Sequence, residues 1–315
     1  MITNSETINI LGATDEAYVP FYGIMLTSLF ETNRDEHFCV HILYSGLKKT
    51  TVDLLTSFVS KYGNTLHCIQ VDERKLKDCP IRPGDHVTLA TYYRLIAPQL
   101  LPNTINKILW LDGDIIVNGS LSELWNTSLC GKAIAAVPDE SHFKDEIYQR
   151  LGLSRGIPYS SAGVLLINLE YWREHHLTEK CMECIASDPD ILLFHDQDTI
   201  NKVLEKEKLE LPVTYNFQTG FVLKWNFPNF SKEFQEEVLS VSSSPKIIHY
   251  TGPTKPWNKY NLHPYRAFFN YYKSKSPWRK LQYSGTMKEH FRNLIAKVAR
   301  KTYLHSSSYL ICDQQ

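Results

Sequence analysis

Neither sign of charge prevails in this chain: 34 Lys and Arg meet 34 Asp and Glu over 315 residues. A neutral chain has no broad electrostatic footprint for nucleic acid, so that partner is not expected. No apolar run approaches the ~18 residues that a membrane span needs. Met1–Glu6 is polar and lacks the charged-then-apolar layout of a signal peptide. The expectation is a soluble chain that stays where it is made, in the cytoplasm. The seven cysteines are odd in number and scattered, in a chain too long to need a disulfide framework, which predicts reduced thiols. Gly (14) and Pro (15) are unremarkable in number, and no internal repeat or low-complexity tract is visible.

What is present begins with length. At about 150 residues per domain the chain holds roughly two domains, or one large α/β domain with a small appendage. The neutral total also hides an asymmetry. Residues 266–304 carry ten basic groups and a single acid, Glu289, whereas residues 1–265 carry 24 basic and 32 acidic groups. A basic tail on an acidic body implies an anionic partner for the tail.

Short apolar runs alternate with helical patterns. TINILG (7–12), FCVHILY (38–44), residues 66–71, KILWL (107–111), KAIAAV (132–137), GVLLINL (163–169) and KIIHY (246–250) read as buried strands. Between them, residues 18–31, 50–62, 87–98, 172–187 and 197–207 read as helices. This alternation predicts βαβ units with both sheet faces covered. Such sheets place ligands at the carboxyl ends of their strands. Beyond Tyr260 the texture becomes aromatic and basic, so the boundary is placed there: a catalytic domain over 1–260 and a helical extension over 261–315.

Three constellations fall where ligands are expected. KILWL runs directly into Asp112-Gly113-Asp114, and IIV follows. Asp-Gly is a common turn, but two charges between apolar runs must be neutralised, and a cation does this. Paired carboxylates suit Mg²⁺ or Mn²⁺ bridging to phosphate. His249 ends KIIHY and could complete such a site, with Lys255 just beyond it as a point charge for phosphate. His195-Asp196-Gln197-Asp198 opens a helix, where acids also serve simply as caps. Cys181 and Cys184 form a CxxC near His175 and His176, but no second ligand pair is spaced for zinc, and buried thiols are the reading.

In combination, these residues resemble a known family. AxDxxY (Ala13, Asp15, Tyr18), YYR (92–94), LDGDIIV (111–117), SAGVLLINL (161–169), HDQDTIN (195–201) and HYTGPTKPW (249–257) occur in the order found in family 8 retaining glycosyltransferases. His263-Pro264-Tyr265 and Ser276-Pro277-Trp278 are similar to the extension of the bacterial lipopolysaccharide-core glucosyl- and galactosyltransferases. The resemblance implies one Rossmann-like GT-A domain with a mixed sheet. It implies Mn²⁺ (or Mg²⁺) held by Asp112, Asp114 and His249 against the diphosphate of UDP-glucose or UDP-galactose. Asp15 would bond the uracil and Tyr18 stack on it, with Ala13, Thr14, Gly113 and Ala162 lining the nucleotide-sugar pocket. Gly252 and Lys255 would meet the phosphates, Arg94 and Asp196 the sugar hydroxyls, Asp139 the sugar or acceptor pocket, and Ser161 the nucleotide-sugar site. Gln197 would lie under the anomeric carbon. Two positions depart from the commoner pattern: Ala17 and Ser161 stand where Asn is frequent.

An amide rather than a carboxylate at Gln197 argues for same-face attack, while Asp196 keeps a covalent route open. From Met287 to Tyr303 an apolar stripe with interspersed Lys and Arg reads as a basic amphipathic helix. It predicts attachment of residues 285–304 to an anionic membrane surface, on the inner face of the cytoplasmic membrane, close to a lipid-linked saccharide acceptor. Rival readings are a HAD-like aspartyl phosphatase or phosphotransferase and a non-catalytic nucleotide-sugar-binding module.

Overall fold

The computed structural model describes residues 7–283, except 86, 254 and 260, together with Leu310. The predicted basic helix over 285–304 lies outside the described residues. The first half of the chain comprises β1 (Ile8–Thr14), α1 (Val19–Thr32), β2 (Phe38–Tyr44), α2 (Lys49–Ser60), β3 (Thr65–Gln70), α3 (Tyr93–Leu100), β4 (Lys107–Leu111) and β5 (Ile115–Val117). Next come α4 (Ser122–Trp125), β6 (Ile134–Pro138), α5 (Asp145–Leu151), β7 (Ser160–Asn168), α6 (Leu169–Glu174), α7 (Leu177–Ser187) and α8 (His195–Val203). The rest is β8 (Lys208–Glu210), β9 (Phe217–Gln218), α9 (Lys232–Val241), β10 (Ile247–His249) and α10 (Arg266–Lys275).

Seven strands form one sheet in the order β3-β2-β1-β4-β7-β6-β8, and three form a second in the order β5-β10-β9. The βαβ expectation holds for β1, β2, β3 and β4, which run parallel. β7 breaks it by running antiparallel to both β4 and β6. The sheet is therefore mixed, and the start of β7 lies beside the ends of β4 and β6.

Side chains alternate across the large sheet, which explains the near absence of polar residues in its central strands. Leu109 and Leu111 of β4 face a core shared with α1, α9, α10 and the small sheet. Ile108 and Trp110 face a second core with α3, α6, α7 and α8. α1 is buried all along from Tyr22 to Phe30. The large sheet and β5 cover it on one side, and α10 covers it on the other, with Trp278 laid against Gly23. Residues 261–283 thus pack into the same core as the body, through Tyr265, Phe269 and Tyr272.

Three helices differ most from the sequence reading. The helix expected over 172–187 is two helices, because His176 takes a left-handed backbone (φ 51°) and breaks the run. The helix expected over 87–98 begins as a 3-10 turn, Leu89–Tyr92, before α3. α8 starts at His195 and ends at Val203, so it is shorter than 197–207 at its far end. Cys181 is fully buried on α7 and Cys184 partly so, and both are free thiols. Among the described residues, no helix is long and apolar enough to cross a membrane.

Candidate active site

The acidic triplet is the step between the two sheets. β4 belongs to the large sheet and β5 to the small one, and only Asp112, Gly113 and Asp114 separate them. β10 pairs with β5 so that His249 lies opposite Ile115, one residue from Asp114, and the Tyr250 N–H donates to the Asp114 carbonyl at 3.1 Å. Register therefore brings the late histidine to the triplet. His249 Nε2 lies 3.2 Å from Asp114 Oδ1 and 3.9 Å from Asp112 Oδ2. One ligand atom from each of the three falls within 4.8 Å of the others, and no other such group of His, Cys, Asp or Glu occurs among the described residues. This set suits a hard divalent ion.

Gly163 makes the space. A Cβ there would fall 2.1 Å from His249 Cε1 and 3.1 Å from Asp112 Oδ2. Gly113 has a similar role on the other side, where a Cβ would press the Tyr18 ring at 3.0 Å. The Tyr18 ring in turn packs edge-on against Trp257, at 5.6 Å between centroids. Burial and the nearby carboxylates of Asp114, Asp112 and Asp15 push the Tyr18 hydroxyl well above its ordinary pKa.

Each carboxylate is held by cations and donors. Lys255 Nζ lies 2.5 Å from Asp114 Oδ2 and donates to the Tyr250 carbonyl at 2.7 Å. Burial alone would raise the Asp114 pKa, but Lys255 and His249 outweigh it and hold this carboxyl well below the usual range. Asp112 Oδ1 accepts from Trp110 Nε1 at 2.7 Å and from Arg94 Nη2 at 2.9 Å. The buried Arg94 stacks 4.3 Å above the Trp110 ring and also donates to the Ala162 carbonyl. Its Nε lies 2.9 Å from Asp196 Oδ2, although that N–H points to the Thr91 carbonyl. Arg94 is thus engaged with Asp112 and with Asp196, the residue beside which it was expected to grip the donor sugar's hydroxyls.

The HDQD segment separates into roles. Asp196 is buried, accepts from Thr91 Oγ1 at 2.6 Å, and has its pKa raised by burial against the opposing pull of Arg94. Gln197 Oε1 accepts from the Ala162 N–H at 2.9 Å, and its Nε2 donates to Asp139 Oδ2 at 3.1 Å and Tyr159 OH at 3.2 Å. Asp198 is wholly buried and structural: it pairs with Arg150 at 2.6 Å and accepts from Tyr159 OH and the Phe194 N–H. Asn201 clamps both backbone groups of Ser160 at 2.7 Å, which fixes the start of β7 next to the triplet. Ser161 and Ala162 follow there, both buried.

The remaining predicted residues line one edge. Asp15 Oδ1 accepts from the Tyr18 N–H at 2.8 Å and so shapes the entry to α1, after Ala13 and Thr14 at the end of β1. Asp139 follows β6, where its N–H bonds the Tyr159 carbonyl. Gly252 takes φ 79°, and among the described residues no atom lies within 4 Å of where its Cβ would be. Sequence reasoning missed Gly163, although it lies inside the quoted SAG motif. It also missed Trp110, Thr91 and Asn216, whose Oδ1 lies 2.8 Å from His249 Nδ1.

A family model, Glycosyl transferase family 8, matches residues 9–261. "General stress protein A" of Bacillus subtilis (strain 168) is 29% identical over 284 residues, 88% of this chain and 96% of its own length. An Escherichia coli "Lipopolysaccharide 1,2-glucosyltransferase" is 29% identical over 288 residues, 90% of this chain and 83% of its own length. Among solved structures, the galactosyltransferase LgtC in complex with donor and acceptor sugar analogues superposes with a TM-score of 0.77 at 24% identity, covering 87% of this chain and 99% of that one. With a mixed sheet of the GT-A type and a match over most of its length, this chain belongs to glycosyl transferase family 8.

Proposed function

We propose that this glycosyltransferase moves glucose or galactose from a UDP-sugar to a saccharide acceptor, with retention of the anomeric configuration. The carrying observation is the convergence of Asp112, Asp114 and His249 within 4.8 Å at the seam of two sheets. Mn²⁺ or Mg²⁺ held there would offset charge on the departing UDP. Lys255, now on Asp114, is within reach to share its charge with a phosphate, and the open left-handed turn at Gly252 lets backbone approach it. Asp15 and Tyr18 would receive the uracil at the end of β1. The amide of Gln197 is anchored by Ala162, Asp139 and Tyr159, so it can present a fixed dipole beneath the sugar without reacting. Asp196 is buried against Thr91 and Arg94, which supports same-face attack over a covalent intermediate. The sugar–phosphate C–O bond breaks as the acceptor C–O bond forms, and the acceptor proton passes to the departing phosphate oxygen.

Incubation with UDP-glucose or UDP-galactose and Mn²⁺ tests this: one of the two is expected to release UDP slowly, and chelation to stop it. No release with either sugar, alongside hydrolysis of p-nitrophenyl phosphate, would favour the phosphatase reading. Nucleotide-sugar binding without turnover, even with acceptor supplied, would leave a binding module. The relative's printed name supports lipopolysaccharide as the acceptor class, and its outer core is the part we propose. A cytoplasmic enzyme held on the inner face of the membrane by residues 285–304 would meet a lipid-linked acceptor. Deleting residues 285–315 is expected to free the protein from anionic membranes with UDP-sugar binding intact; equal membrane recovery of the shortened chain refutes the attachment.

A further inference from the structure

A histidine can ligate a cation through Nε2 only if that nitrogen carries a lone pair, and the partner of Nδ1 decides which nitrogen keeps the proton. In this fold the partner is Asn216. Its backbone N–H closes the turn Val213–Tyr215 by donating to the Val213 carbonyl at 3.1 Å, just ahead of β9. β9 pairs with β10, placing Gln218 opposite His249 and Asn216 two residues earlier in the chain. The Asn216 side chain is fully buried, with Oδ1 2.8 Å from His249 Nδ1. Among the described residues, its Nδ2 has no hydrogen-bond partner. A buried amide that leaves its donor unused, while its carbonyl oxygen meets an imidazole, is placed for that oxygen.

We infer that Asn216 is a positioning residue: its carbonyl oxygen accepts the Nδ1 proton of His249, so that Nε2 is the nitrogen left to offer its lone pair when a cation enters between His249, Asp112 and Asp114. The opposite orientation would set an amide donor against Nδ1 and force the proton onto Nε2, 3.2 Å from Asp114 Oδ1, where it would repel a cation. A neutral acceptor also leaves the charge of the site to the two aspartates.

The inference rests on the metal-dependent reading of the site, and the test separates the two. Mn²⁺ affinity is measured from the electron paramagnetic resonance signal of the free ion, for the full chain and for Asn216→Leu and Asn216→Asp, with thermal melts confirming folding. Leu keeps the volume but offers no acceptor, and a 10- to 100-fold weaker affinity is expected. Asp restores an acceptor and cannot donate, so its affinity should stay within about threefold of the parent or become tighter. Equal affinity for the Leu variant, or an Asp variant as weak as the Leu one, overturns the role of Asn216 alone. A parent that binds no Mn²⁺ sinks the metal reading with it. Should Asn216→Leu not fold, ¹⁵N spectra of His249 in the Zn²⁺-loaded parent decide: a proton on Nδ1 supports the inference, and one on Nε2 overturns it.

Discussion

A single hydrogen atom at position 163 keeps the candidate site open. The Cβ of Gly163→Ala would fall 2.1 Å from His249 Cε1, a distance no pair of carbons tolerates, so the imidazole or the start of β7 must move. Because His249 is buried between strands, it cannot swing away cheaply. Gly163→Ala is expected to lower Mn²⁺-dependent UDP release about 100-fold or more, with only a modest loss of stability, since displacement by about 1 Å is enough to spoil a catalytic geometry. Comparison of turnover and of the urea midpoint checks it; unchanged turnover would show that the site has slack. The residues of the site were unevenly legible in the chain. Asp112, Asp114 and His249 announced themselves by abrupt polarity at the ends of apolar runs. Asp198 was read only as an acid favoured at a helix start, and its carboxylate is indeed consumed by Arg150, Tyr159 and the entry to α8. Asn216 gave no signal, because it lies in a loop before a strand of two residues.

Among the elements, long strands and helices showed themselves because both faces of the large sheet are covered, leaving unbroken apolar runs such as KILWL. β5, β8 and β9 span two or three residues, too few for any period to register. The direction of β7 was also invisible, since periodicity does not encode whether a neighbour runs parallel or antiparallel. The packing of α10 on α1 is the element contact with a direct test. Trp278 lies over Gly23, where a Cβ would meet its ring at 1.9 Å, and it also packs edge-on against Phe58. Removing the ring by Trp278→Ala is expected to cost about 2 kcal/mol, below what a fully buried aromatic loses on truncation, because part of the ring is exposed. UDP release at saturating donor should stay within a few-fold, since Trp278 packs on Gly23 and Phe58 rather than on the acidic triplet. Denaturant midpoints measure the first outcome; a midpoint equal to the parent's would mean that residues 276–283 contribute nothing to the body.

For the whole molecule, acid is the informative perturbant. His263 is wholly buried, and that burial together with the charge of Lys255 lowers its pKa to about 3, while burial and His67 lower that of His41 to about 4. Both are neutral in the fold near neutrality, and His263 Nδ1 accepts the Tyr265 N–H at 3.2 Å, which requires its lone pair. The unfolded chain takes up these protons near 6.5, so stability is fully present above that pH and is lost as pH falls toward 3. For His263 the slope approaches about 1.4 kcal/mol per pH unit, one proton's worth. Urea midpoints at pH 7 and pH 5 should therefore fall less for His263→Gln than for the parent; parallel falls would contradict this origin.

Among the described residues, the acidic triplet is also the direct strand-to-strand passage from the large sheet to β5. Any cation gripped by Asp112 and Asp114 on that passage and by His249 on β10 rivets two separately hydrogen-bonded layers. Loading the cage and locking the layers together would then be one event, and occupancy of the cleft and rigidity of the scaffold around it would rise and fall in step.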